Sequence, residues 1–337
     1  MMDLAAIGQL AAESDSLEAP FVKGRVLQLD ADFGCYECAW LDKTLNENIV
    51  QLKNLIETCR LTAGAEFVNV HITLGMKGGR TQMATVKPYQ EKRSANRDPE
   101  KQARVAALRN FLANYKTGIA APVANLLQEA DDSLTIMQRV RITTHGLDSS
   151  IISSGDKDLW MSEGLHCDQK TGRIYEVRGY GKTLWKDVGN VKPKLVGEGT
   201  SWFWHQLLHG DGADNIAGLP ELSGKLLNRY LPTKKTNPKR PSQSCGEAKS
   251  FAVLKGVTSD RDACTRVFEA YKGYWPNATE MLVEQAFLLW MRRTDRVDDV
   301  LEFLNASGLM CEFSPAQKER LREFKRLAVI QIQASEE

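Results

Sequence analysis

The sequence predicts an α/β protein with a mainly parallel central sheet flanked by helices, and three observations carry that prediction. Residues 25–29 are apolar-rich, 66–74 are β-branched and aromatic in character, and 149–153 read as a further short strand. A helical stretch at 45–60 separates the first two, and strand, helix, strand is the pattern of a parallel pair joined by a crossover. Carboxylates stand just beyond the strands: Asp30 and Asp32 after the first, Asp156 and Asp158 after the third. Ligand sites of parallel sheets lie at that end of the strands.

At 337 residues the chain exceeds what one core usually organises, so a large α/β domain over residues 1–200 and a helical region over 201–337 are expected. A short strand at 125 should lead into a helix that opens with Glu129, Asp131 and Asp132, acids that suit the positive end of a helix dipole. Residues 172–181 suggest a hairpin, 202–208 a helix and 210–223 a turn-rich segment. The stretch 231–246 holds Pro232, Pro238 and Pro241 among Lys234, Lys235, Lys239 and Arg240 and is expected to be an exposed linker. Helical periodicity then marks 261–271, 278–293, 297–304 and 315–333.

Composition excludes several classes. A formal net charge of +1 rules out a histone-like polycation and directs attention to local charge. Seven scattered cysteines do not form the even, closely spaced framework of a small secreted domain, which points to a reducing cytoplasm. The first ten residues lack a basic export region and carry Asp3, and no apolar run approaches the roughly 18 residues of a membrane span.

The hidden charge is basic. Lys77, Arg80, Lys87, Lys92, Arg93, Arg97, Lys101, Arg104 and Arg109 face only Glu91, Asp98 and Glu100 across the same span. Pro99 and the apolar residues after it predict a helix over 98–115 whose basic side chains reach solvent.

The chemistry is carried by carboxylates in short clusters: Asp30, then Glu129, Asp131 and Asp132, then Asp156 and Asp158, then Asp211 and Asp214. Each acid alone is more simply a cap or turn residue. If the strands are parallel neighbours, all converge on one rim, where like charges repel by roughly 1 to 4 kcal/mol per close pair and require cations. Hard oxygen ligands suit Mg2+ or Mn2+, and two such ions about 4 Å apart can clamp a phosphodiester for in-line hydrolysis.

Several weaker signals have simpler readings. The histidine pair of His205-Gln206-Leu207-Leu208-His209 lacks the glutamate base of a zinc protease helix. Gly179-Tyr180-Gly181-Lys182-Thr183 has Glu176 where a phosphate loop needs glycine. Cys35 and Cys38 form a lone C-x-x-C expected on a helix as structural thiols. Trp202, Trp204, Trp275 and Trp290 are expected in the core rather than stacked on bases.

The chain resembles the flap endonuclease and 5′ to 3′ exonuclease superfamily of PIN-like nucleases, especially its compact bacteriophage members. The resemblance rests on Leu29-Asp30-Ala31-Asp32, Ser94-Ala95-Asn96-Arg97, Glu129-Ala130-Asp131-Asp132, Ser154-Gly155-Asp156-Lys157-Asp158 and the run from Gly210 to Gly218, in the family's order, over about residues 26–230. It implies a structure-specific 5′ nuclease acting on DNA 5′ ends or flaps, with RNA–DNA hybrids as further substrates. Asp30, Glu129, Asp131 and Asp132 would hold one metal ion; Asp156, Asp158, Asp211 and Asp214 a second.

The same resemblance implies that residues 77–116 form a basic helical arch, with Lys92, Arg93 and Arg97 as catalytic cations and Arg80 and Asn96 contacting DNA. Ser94 replaces the usual arch lysine. Gly218, Gly224 and Lys225 match a duplex-gripping helix-three-turn-helix element, but Glu221 and Ser223 replace its paired glycines, which argues against the K+ ion often bound there. Host cytoplasm and partners in replication and repair follow as expectations. A catalytically silent DNA-binding protein and a metal-dependent ribonuclease are the alternatives, the latter separable only by comparing RNA with DNA.

Overall fold

The computed structural model describes residues 20–91, 98–169, 171–187, 189, 192–233 and 239–336. Lys92, Arg93, Ser94, Ala95, Asn96 and Arg97, together with Lys234 and Lys235, lie outside the described residues. The chain divides into two compact units, one of residues 1–75, 98–159 and 163–177, the other of 76–97, 160–162 and 178–337.

The first unit is built on a six-stranded sheet in the order β3-β2-β1-β4-β5-β6. Its strands are β1 (Val22–Asp30), β2 (Ala65–Thr73), β3 (Ala120–Asn125), β4 (Ser150–Ser153), β5 (Gly164–Cys167) and β6 (Ile174–Val177). The first five run parallel, and β6 is antiparallel on the edge. Val26 to Asp30 are all buried, as a strand paired on both sides and covered on both faces requires.

The chain order moves outward from β1 to β3 and then returns to β4 on the opposite side of β1. The crevice beyond the carboxyl ends of β1 and β4 is therefore where such sheets bind ligands. Helices α1 (Ala31–Cys38), α2 (Leu45–Thr62) and α4 (Pro99–Ala113) pack around β2, with Leu52, Ile56, Leu108 and Leu112 in the core; α5 (Ala130–His145) packs on β1, β2 and β4. Thr44 and Glu47 form the reciprocal cap that starts α2, and Asp98 with Pro99 starts α4.

The second unit holds the four-residue α3 (Arg80–Met83), the antiparallel pair β7 (Lys182–Lys186) and β8 (Lys194–Glu198), and α6 (Thr200–His209). After α7 (Gly224–Tyr230) come α8 (Glu247–Leu254), α9 (Asp260–Lys272), α10 (Ala278–Leu289), α11 (Asp299–Ala306) and α12 (Pro315–Glu336). Trp202, Phe203, Trp204, Tyr271 and Leu282 anchor its core. No helix among the described residues is long and apolar enough to cross a membrane.

Four expectations need correction. The strand expected to start at Asn125 ends there, because Ala120 to Asn125 pair with β2 in register. The hairpin expected at 172–181 joins β5 to β6 and turns earlier, between Asp168 and Arg173. The helix expected to reach 293 stops at Leu289. Within the expected linker, Gln243 and Ser244 form β10 against β9 (Glu221–Leu222).

Candidate metal centre

Asp30 closes β1 and caps α1 in the same stroke. One carboxylate oxygen accepts the amide of Phe33 at 3.2 Å and the other accepts the Ser154 hydroxyl at 2.6 Å, just past β4. This bond spans the crevice between the two neighbouring strands. The Ser154 hydroxyl also accepts the Asp156 amide at 2.9 Å, and Asp156 accepts the Asp158 amide at 2.8 Å. The Ser-Gly-Asp-Lys-Asp turn is thus pinned to the Asp30 carboxylate. A Cβ at Gly155 would stand 2.7 Å from the ring of Phe33, so any larger residue there would force that ring to shift.

The α5 acids reach the same rim from β3. Glu129 is the N-cap residue of α5, and the Ala130 amide donates to the Thr73 hydroxyl at the end of β2 at 2.9 Å. The Thr73 amide donates to the Asp32 carboxylate at 3.2 Å. Behind this turn lies a buried polar chain: Ser133 meets His71 Nδ1, His71 Nε2 meets Gln28 at 2.9 Å, and Gln28 donates to Ser150 at 3.1 Å. Burial pushes His71 down to about 3, so the ring is neutral.

Electrostatics records the convergence. Burial raises Asp30 to about 6, the Ser154 hydrogen bond opposes that rise, and the charges of Asp32 and Asp156 add to it. Asp131 keeps part of its surface open to solvent, yet burial and then the charges of Asp30, Asp156, Glu129 and Asp32 push its carboxyl well above the ordinary range. Asp131 therefore feels four other acids from three strand ends. Asp132, one residue on, is fully buried on α5. Asp158 is buried beside Lys157, whose ammonium lies 3.1 Å from its carboxylate. Among the described residues no three acids, histidines or cysteines stand in a finished ligand arrangement; the donor set is all carboxylate oxygen, which matches a hard divalent cation.

Asp211 and Asp214 belong to the second unit. Asp211 is buried and accepts the Ala213 amide at 2.7 Å, and the Tyr89 hydroxyl donates to Asp214 at 3.3 Å. The Gln90 amide donates to the Asp214 carbonyl and the Asn215 side chain to the Pro88 carbonyl, both at 2.9 Å.

The expected DNA contacts fare unevenly. Arg80 is buried, with its guanidinium donating to the carbonyls of Leu288 at 3.2 Å and Trp290 at 2.7 Å, so a DNA-facing role is corrected to a structural one. The Gly218 amide is bonded to Gln285, and Gly224 lies so close under Arg240 that a Cβ would be 1.6 Å from its carbonyl oxygen. Arg240 itself donates to the Leu227 and Leu231 carbonyls at the end of α7. Lys225 is exposed. The basic face of α4 is not freely solvated either: Lys101 lies over the Tyr36 ring at 4.0 Å and Arg104 donates to Lys43 and Asn48.

The set-aside motifs behave as structure. Cys35 and Cys38 are buried in α1, where burial raises both thiols and disfavours a thiolate site. His205 packs on Phe251 and bonds Ser250, with burial lowering it to about 3. Lys182 and Thr183 begin β7, not the helix that a phosphate loop needs. Trp202, Trp204 and Trp290 are buried, whereas Trp275 is half-buried.

No protein-family model and no curated protein sequence matches the chain. Among solved structures it is similar to bacteriophage T5 5′-exonuclease with bound divalent zinc, at 14% identity and a TM-score of 0.52, over 90% of this chain and 99% of that one. The T5 D15 protein co-crystallised with metal ions also aligns, at 14% identity and a TM-score of 0.44, over 85% of this chain and 100% of that one. The first of these likenesses establishes a PIN-like 5′-nuclease fold.

Proposed function

We propose that this chain is a divalent-metal-dependent 5′ nuclease that hydrolyses DNA phosphodiesters at 5′ ends or flaps. The observation that carries the reading is the gathering of Asp30, Asp32, Glu129, Asp131 and Asp156 at the carboxyl ends of β1, β3 and β4, with Asp131 pushed up by burial and then by the charges of the other four. Such a crowd is tolerable when cations neutralise it, and its oxygen donors suit Mg2+ or Mn2+ over softer metals. Asp30, Glu129, Asp131 and Asp132 would hold one ion and Asp156 and Asp158 would serve a second, with Asp211 and Asp214 as candidate metal-binding acids of the second unit.

Bound there, the ions supply an activated water and a counter-charge for the leaving oxygen. The protein's own part is to orient the acids, through Ser154, Thr73 and the α5 cap, and to offer cations to the phosphate. Lys92, Arg93 and Arg97 fill that second role, Asn96 and Lys225 add DNA contacts, and residues 1–200 act as the nuclease part with 201–337 as the DNA-binding part. A replication or repair setting, a phage origin and a cytoplasmic site of action fit the same reading.

Purified protein incubated with a 5′-labelled flap duplex and magnesium should release short 5′-phosphorylated fragments. Cleavage no faster than that by an Asp131→Ala, Asp156→Ala double variant would overturn the reading. Matched RNA flaps run in parallel decide between DNA and RNA as the preferred strand.

A further inference from the structure

Arg109 sits on α4, the helix that follows the basic segment, and its Nε donates to the Asp32 carboxylate at 2.8 Å. Asp32 is one of the acids whose charge acts on both Asp30 and Asp131. Arg109 thus brings a fixed positive charge to the edge of a carboxylate rim. Its partner is held in turn by the Thr73 amide, so the guanidinium is anchored to the end of β2 rather than left on a flexible stem.

Two further facts point beyond a strut. Among the described residues neither Nη group of Arg109 has a hydrogen-bond partner, and about a third of the side chain is open to solvent (32% for Arg109, 22% for Asp32). The pair is part-buried, so it gains less than a fully enclosed one while the guanidinium stays within reach of solvent and ligand. A guanidinium fixed through Nε presents its two remaining amino groups as a planar fork, the geometry that takes a phosphate in bidentate fashion.

We propose that Arg109 is a further catalytic residue, a phosphate-contacting cation held at the acid rim by Asp32 and distinct from Lys92, Arg93 and Arg97. The role presupposes the nuclease reading above and supplies a cation on a regular helix where Ser94 stands in place of the arch lysine. Asp32 then serves as the positioning residue for Arg109 and not as a metal ligand, which explains why both of its oxygens are engaged by Thr73 and Arg109.

The test uses the full chain, a 5′-phosphorylated flap duplex and calcium in place of magnesium. Binding is followed by fluorescence anisotropy across a salt series, and single-turnover cleavage is measured separately in magnesium. Arg109→Gln should weaken binding several-fold and lower the slope of log affinity against log salt by about one phosphate contact. Arg109→Lys should keep the slope and lose about tenfold or more in single-turnover rate, because one ammonium cannot serve Asp32 and a phosphate together.

Unchanged slope and affinity in Arg109→Gln, with only a lower melting temperature, would make the pair a strut and overturn the proposal. So would a wild-type single-turnover rate in Arg109→Lys. If the wild-type chain cleaves nothing, the nuclease reading fails by itself, and the calcium salt series still decides whether Arg109 touches phosphate.

Discussion

The Thr73 hydroxyl accepts the amide of Ala130 at 2.9 Å while the Thr73 amide donates to Asp32, so one residue at the end of β2 ties the first turn of α5 to the first turn of α1. Thr73→Val keeps the shape and removes the acceptor, leaving a buried amide unsatisfied. The expected loss is about 1 to 3 kcal/mol in urea unfolding, with Thr73→Ser close to wild type. Equal stability of the Val and Ser variants would show that the hydroxyl does not hold α5.

Asp131 is held above its ordinary pKa first by burial and then by four neighbouring acids, so its charge opposes folding at neutral pH when no cation is bound. Asp131→Asn should therefore raise the melting temperature of the metal-free protein, the relieved like-charge contact contributing on the order of 1 kcal/mol of stability. The same variant should lose most of the stabilisation that manganese gives the wild type, because binding to the native state stabilises by mass action. A variant less stable than wild type in chelator would contradict the repulsion.

His71 and His205 are both lowered to about 3 by burial, well under the unfolded value of 6.5. Their neutral rings contribute stability that is complete above pH 6.5 and is lost as pH falls from 6.5 toward 3, where the unfolded chain takes up protons that the native chain refuses. Each contributes a slope of about 1.4 kcal/mol per pH unit in that window. His205→Gln keeps a partner for Ser250 and should flatten acid unfolding by roughly one such slope. An unaltered pH profile would mean that the ring titrates freely.

Gly155 faces the Phe33 ring, and an added methyl would meet it at 2.7 Å. Gly155→Ala should cost about 1 to 3 kcal/mol as overpacking, and Phe33→Leu in the same chain should recover part of the loss. A double variant no better than the single would place the strain elsewhere.

Much of this site was legible because the chemistry sits next to its strands in sequence. Asp30 ends β1, Asp156 follows β4 by three positions, and Glu129 opens the helix after β3, so a strand pattern and a list of acids were enough to bring them to one rim. The residues that hold them in place were not legible. Ser154 reaches Asp30 across 124 positions, Thr73 reaches Ala130 across 57 and Arg109 reaches Asp32 across 77, and no local period encodes such contacts.

Misplaced elements have local causes. β5 is only four residues long, too short to register as an alternating or apolar run, and β7 is largely exposed with no alternation to read. Arg80 was counted with the basic span because charge signals solvent on average, whereas here backbone carbonyls of Leu288 and Trp290 satisfy the guanidinium inside the second unit.

Crystals soaked in manganese together with a 5′-overhang duplex, examined by anomalous diffraction, put the matter to a single observation. Peaks of density within about 2.5 Å of carboxylate oxygens from Asp30, Glu129, Asp131, Asp132 or Asp156, with a phosphate of the overhang beside them, are the expected result. Manganese bound only at other surfaces, with the acid rim empty in the presence of DNA, would refute a metal-dependent nuclease at this site.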